Sequence, residues 1–154
     1  MAKESAGLLV YRRKGEDLEF LLVHPGGPFW KNKDAGAWTI PKGEIQPGEN
    51  PQHAAKREFQ EELGIRVEGE LVQLNPIKQK GGKLVRAWAV EADLDLSAIK
   101  SNTFSLEWPP RSGRMAEFPE VDQASYFDWK TAKSKVNEAQ VALLEEVRAR
   151  QSER

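Results

Sequence analysis

Apolar and polar positions along the chain change period several times, and each change marks an element. Ala6 to Arg12 and Leu18 to His24 are apolar runs of strand length, and Lys14 to Asp17 between them has the composition of a hairpin turn. Pro25 to Ala37 reads as a loop, followed by a short extended piece, Trp38 to Ile40, that Pro41 stops. A helix over Gln52 to Leu63 has both ends written in sequence. Asn50 is a good N-cap, Pro51 suits the first helical position, and Gly64 sits where a helix ends left-handed. Ile65 to Leu74 and Lys83 to Leu94 read as strands joined through the Lys78 to Gly82 loop. Ser101 to Glu120, with Pro109, Pro110, Gly113 and Pro119, reads as a long loop, and Ala124 to Trp129 as a last strand. Asn137 with Gln140 resembles a capping box, and Ala139, Gln140, Leu143, Leu144 and Val147 make one stripe of a closing helix. The order is β-β-loop-α-β-β-loop-β-α. It predicts an α+β fold with helices packed on a mixed sheet, in a single domain over residues 1–154.

The helix contains a local conflict. At 100° per residue, Ala55, Phe59 and Leu63 form a core-facing stripe, and Glu58, Glu61 and Glu62 lie together beside it. Neighbouring like charges cost about 0.2–0.5 kcal/mol per pair. Glu61 and Glu62 also sit in the last turn, where the helix dipole disfavours acids by about 0.3–1 kcal/mol each. A solvated face would carry cations there. A hard divalent cation, Mg2+ first and Mn2+ next, is the simplest neutraliser, and Arg57 is available to pair with one carboxylate.

Composition narrows the partners. With 23 basic and 24 acidic residues and a net charge of -1, the chain lacks the basic excess that bulk nucleic-acid binding needs. It contains no cysteine, so thiolate ligands, disulfides and cysteine nucleophiles are excluded. No segment has the length and hydropathy of a membrane span or signal peptide, so the cytoplasm is the expected compartment. A monomer or homodimer is expected.

Gly43, Glu49, Arg57, Glu58, Phe59, Glu61, Glu62, Gly64 and Ile65 fall at the spacing G-x5-E-x7-R-E-U-x-E-E-x-G-U, where U is apolar. This segment resembles the Nudix box, and Trp38 to Gly43 resembles the lead-in of many Nudix members. The resemblance implies an α/β/α sandwich on a mixed sheet and a metal-dependent pyrophosphohydrolase. It implies that Glu58, Glu61 and Glu62 hold Mg2+ or Mn2+, with Glu58 alternatively the general base. Glu49 would be a further ligand or the support of one, and the Lys42 carbonyl a further contact to the metal. Arg57 would orient a carboxylate, while Gly43 and Gly64 would serve backbone geometry. Pro119-Glu120-Val121-Asp122 resembles a segment of members acting on RNA 5′ ends or dinucleoside polyphosphates. That points to Glu120, rather than Glu107 or Glu117, as an extra ligand or base.

The chain has five tryptophans. Trp30 and Trp38, with Lys42 and Arg86, are the residues expected to contact substrate through base stacking and phosphate pairing. The expected partner is a nucleotide-like small molecule, first a dinucleoside polyphosphate such as diadenosine tetraphosphate. A damaged nucleoside triphosphate is the competing substrate, and a non-catalytic nucleotide sensor the competing class. Isopentenyl diphosphate isomerisation is disfavoured by the absence of cysteine. His24 and His53 fit no ligand or triad spacing, and His53 is expected at the surface.

Overall fold

Strands whose two faces are both covered have no need to alternate, and the two longest apolar runs form such strands. The computed structural model describes residues 3–152, in which β1 (Glu4–Lys14) and β2 (Asp17–Pro25) lie inside a seven-stranded sheet. The further strands are β3 (Lys42–Glu44), β4 (Val72–Gln73), β5 (Ile77–Lys78), β6 (Leu84–Glu91) and β9 (Val121–Asp128). The main path runs β4-β6-β1-β2-β9, β3 pairs with β1, and β5 pairs with β6. The β1–β6 pairing is parallel and the rest are antiparallel, so the sheet is mixed.

Successive residues of β1 serve opposite cores. Leu8 and Val10 join Leu21, Val23, Ala55, Phe59 and Leu63 beneath helix α1 (Pro51–Leu63). Leu9 and Tyr11 join Phe20, Leu22, Trp38, Leu143, Leu144 and Val147 beneath α2 (Trp129–Lys135) and α3 (Val141–Ser152). The result is the expected α+β sandwich, a mixed sheet flanked by helices. Among the described residues, no helix is long and apolar enough to cross a membrane.

Five expectations change. Residues 101–120 are not a structureless loop. They form a hairpin of β7 (Thr103–Glu107) and β8 (Met115–Pro119), a separate two-stranded sheet. The strand expected over 65–74 shrinks to Val72–Gln73, and that over 83–94 trims to Leu84–Glu91. Trp129 does not end a strand but opens α2, which Asp128 caps by accepting from the Thr131 N–H. The closing helix begins with a 3-10 turn, Glu138–Gln140, before α3. Gln140 is fully buried there, and its side chain bonds to the Ile40 N–H, Thr39 and Gln79.

Candidate active site

Helix α1 is placed by the ends the sequence predicts. Asn50 accepts from the Gln52 and His53 N–H groups at 2.9 and 3.2 Å, and Gly64 caps at φ 67° with its N–H on the Gln60 carbonyl. Ala55, Phe59 and Leu63 seat the helix on the sheet. Glu58 and Glu62 are thereby turned toward β3 and the start of β9. Lys42, Gly43, Glu44, Gln46, Arg57, Glu58, Glu61, Glu62 and Glu120 line one cleft of about 500 Å³. Four of the expected acids, one arginine and the Lys42–Gly43 backbone therefore meet at a single place.

Glu62 is the anomalous group. It is 8% exposed, and its buried Oε2 has no hydrogen-bond partner. Burial first, then repulsion from Glu58 and Glu120, pushes its carboxyl up to about 9. Glu58 is raised by burial and by Glu61, and Glu120 by burial and by Glu58 and Glu61. Burial also lowers Lys42. A group of acids that raise one another, one with an orphaned oxygen, is a set of hard oxygen donors short of a cation. The donor set fits a divalent metal. Among the described residues no three acidic or histidine groups already converge as ligands, and Glu49, Glu58 and Glu61 are instead bonded to Arg57.

Arg57 gathers the remaining acids. Its Nε and Nη2 donate to Glu49 at 2.7 and 2.9 Å, and Nη1 donates to Glu58 at 2.9 Å and to Glu61 at 3.2 Å. Nη2 also reaches the Glu44 carbonyl at 3.1 Å. The arginine is raised chiefly by its hydrogen bonds to Glu49, and Glu49 is held down to about 2 chiefly by those same bonds. In this arrangement Glu49 grips the arginine, and the arginine orients Glu58 and Glu61.

Gly43 is dictated by contact: a β-carbon built there would overlap the Glu58 carboxyl group. Gly43→Ala is expected to push the Glu58 carboxyl group aside at little cost in stability, since it is the far end of a flexible side chain, but to lose most of the turnover. A thermal melt and kcat measured together check this; a wild-type kcat would remove the close approach as the reason for glycine.

The expected substrate contacts separate. Lys42 lines the cleft. Trp38 does not: it is 5% exposed, packed on Phe127 and His24, with its indole N–H on Asp34 at 2.8 Å. Arg86 pairs with Glu4 at 2.7 Å on the sheet. Trp30 is 39% exposed beside Phe29 at 60%, and the Phe29 ring meets the edge of Trp108 at 5.6 Å. Phe29 and Trp30 are thus exposed on one loop, with the half-buried Trp108 packed on Phe29. That loop meets the cleft at Glu120, whose carbonyl accepts from the Gly26 N–H at 3.0 Å. His53 is exposed, as expected. His24 is buried and bonded to Asp122, a partner 98 residues away that no local spacing announces.

A family model described as NUDIX domain matches residues 1–147. The asymmetrical bis(5′-nucleosyl)-tetraphosphatase of Rattus norvegicus is 35% identical over 103 residues, covering 59% of this chain and 66% of that protein. An RNA pyrophosphohydrolase of Erythrobacter litoralis is 32% identical over 99 residues, covering 50% and 60%. The chain therefore spans just under two thirds of the length of these relatives. A C. elegans Ap4A hydrolase in a binary complex superposes with a TM-score of 0.70 at 23% identity, covering 99% of this chain and 100% of that one. The NUDIX domain of Shewanella oneidensis NrtR, complexed with ADP ribose, does so with a TM-score of 0.68 at 14% identity, covering 98% and 89%. At these identities the two likenesses concern the fold.

Proposed function

Since the chain belongs to the NUDIX domain family, we propose that it is a metal-dependent pyrophosphohydrolase that cuts a phosphoanhydride bond in a nucleotide-like substrate. The observation that carries this is Glu62, a buried carboxylate with an orphaned oxygen, set beside Glu58, Glu61 and Glu120 in one open cleft. So costly an arrangement is at odds with a purely structural role.

Glu58, Glu61 and Glu62 would hold the divalent cation, Mg2+ or Mn2+, with the Lys42 carbonyl beside them. When bound, the ion screens phosphate oxygens and acidifies a water. The chain's own groups do the rest. Arg57, fixed by Glu49, keeps Glu58 and Glu61 from swinging into solvent. Glu120, raised by burial and neighbouring acids, is suited to accept the proton of the attacking water on the open side of the cleft. Lys42 is placed to pair with a phosphate oxygen. Trp30 and Phe29 offer the exposed rings on which a base stacks, with the half-buried Trp108 packed on Phe29.

The substrate we favour is a dinucleoside polyphosphate, supported by the tetraphosphatase relatives and by an aromatic surface adjoining an acidic cleft. The experiment is product analysis on diadenosine tetraphosphate, ordinary and oxidised nucleoside triphosphates, ADP-ribose, NADH and triphosphorylated RNA. Turnover of diadenosine tetraphosphate with Mg2+ or Mn2+, abolished by chelation, is the expected result. Faster turnover of an oxidised triphosphate would move the specificity to house-cleaning. Tight, metal-independent nucleotide binding without products would make the protein a sensor.

A further inference from the structure

We propose that His24 is a positioning residue: paired with Asp122, it latches the aromatic loop of residues 25–37 to a bulge in β9, and the bulge aims Glu120. The catalytic part of this inference rests on Glu120 acting in the proposed hydrolysis; the latch itself does not.

The β2–β9 register supplies the first observation. His24 pairs with Gln123 and Pro25 with Val121, so Asp122 is the extra residue of a register shift. Bulges of this kind bend a strand and re-aim the side chains next to them, and they recur beside active sites. Glu120 is the second residue before this one. The side chain of the extra residue supplies the second observation, since Asp122 Oδ1 lies 2.8 Å from His24 Nδ1. On the other side of the ring, Nε2 lies 2.6 Å from the Lys33 carbonyl, far along the aromatic loop. One imidazole thus ties the bulge to the loop. The loop and the strand meet again at the Gly26 N–H on the Glu120 carbonyl, where a β-carbon on Gly26 would overlap the Pro119 carbonyl.

Both ring nitrogens are engaged, Nδ1 with the Asp122 carboxyl group and Nε2 with the Lys33 carbonyl. The ring is 5% exposed and packed on Trp38, so the imidazole that joins the two segments is held inside the fold.

The test reads the latch and its consequence separately. Amide exchange in the metal-free protein reads the latch without any substrate. In His24→Gln and in the milder Asp122→Asn, amide exchange at Gly26 and across 27–37 should quicken. Both substitutions should lower kcat about 10–100-fold, the range of groups that orient a catalytic residue from behind it, with KM changing less. Added to Glu120→Gln, either should cost nothing further, because the latch acts through that carboxylate. Unchanged loop exchange in both variants would overturn the latch. Kinetic losses that add in the Glu120→Gln background would overturn its action through Glu120. If no substrate turns over, the exchange rates still decide the latch.

Discussion

Glu62→Gln should silence turnover, by about 10³-fold or more, in a protein that melts no lower than the wild type. The kinetic half follows from charge. The substitution keeps the shape of the side chain and removes an anionic donor from the deepest point of the cleft, and stabilising charge at the reacting phosphate is the largest contribution such sites make. The stability half follows from burial. Glu62 is 8% exposed with an unpartnered oxygen, and its carboxyl is pushed up to about 9 from the ordinary 4.5. A carboxyl that holds its proton more tightly folded than unfolded stabilises the fold fully below the unfolded value, and that contribution is lost as pH rises through the folded one. The metal-free wild type should therefore melt progressively lower between about pH 5 and 9. Glu62→Gln, which has no proton to lose there, should lack that slope, and a divalent cation should restore the wild type at high pH without restoring the variant. Thermal melts across pH, with chelator and with Mg2+, check the claim. A wild type whose melting temperature ignores both pH and metal would remove Glu62 from the metal site.

What sequence could and could not say follows from the range of the interactions involved. Helix α1 was legible because its determinants are local: Asn50, Pro51 and Gly64 fix its ends, and the Ala55, Phe59, Leu63 stripe fixes its buried face. The acidic cluster was legible because the conflict among Glu58, Glu61 and Glu62 also plays out within one turn. The β7–β8 hairpin was hidden by its turn. Phe104 and Leu106, and Ala116 and Phe118, alternate at strand period, but Pro109, Pro110 and Gly113 between them suggest a loop when they only mark the reversal. Residues 65–71 were over-read as strand because Ile65, Val67 and Leu71 alternate. They pack against the α1-side core without joining the sheet. Trp38 was assigned to substrate because it adjoins the glutamate motif, but its neighbours in space are Phe127, His24 and Asp34. The grip of Glu49 on Arg57 reaches back eight residues from inside α1 to the loop before its N-cap, and the contact of His24 with Asp122 crosses nearly two thirds of the chain. No periodicity carries distances of that kind.

Arg57→Ala should cost both activity and fold, which separates it from Glu62→Gln. Among the described residues, Arg57 is the cation that forms ion pairs with Glu49, Glu58 and Glu61, and its side chain is 23% exposed. Removing it leaves three carboxylates facing one another, with the Gln46 N–H still donating to Glu49, at a cost of about 2–4 kcal/mol for a partly buried network of charge-assisted bonds. The acid limb of the stability curve should move as well. In the wild type Arg57 holds Glu49 down to about 2, so the stability it gives is present above the ordinary 4.5 and is lost as pH falls through about 2. Without the arginine that contribution disappears, and the variant should unfold at higher pH than the wild type. Turnover should fall about 10–100-fold, because Glu58 and Glu61 keep their chemistry but lose their orientation. Arg57→Lys should recover little of either property: an ammonium cannot present the planar fork that spans Glu49 while also reaching Glu58. Denaturant melts at pH 3 and 7, alongside kcat for both variants, test the pair of claims. An Arg57→Lys protein indistinguishable from wild type would show that the site needs a positive charge there and no particular geometry.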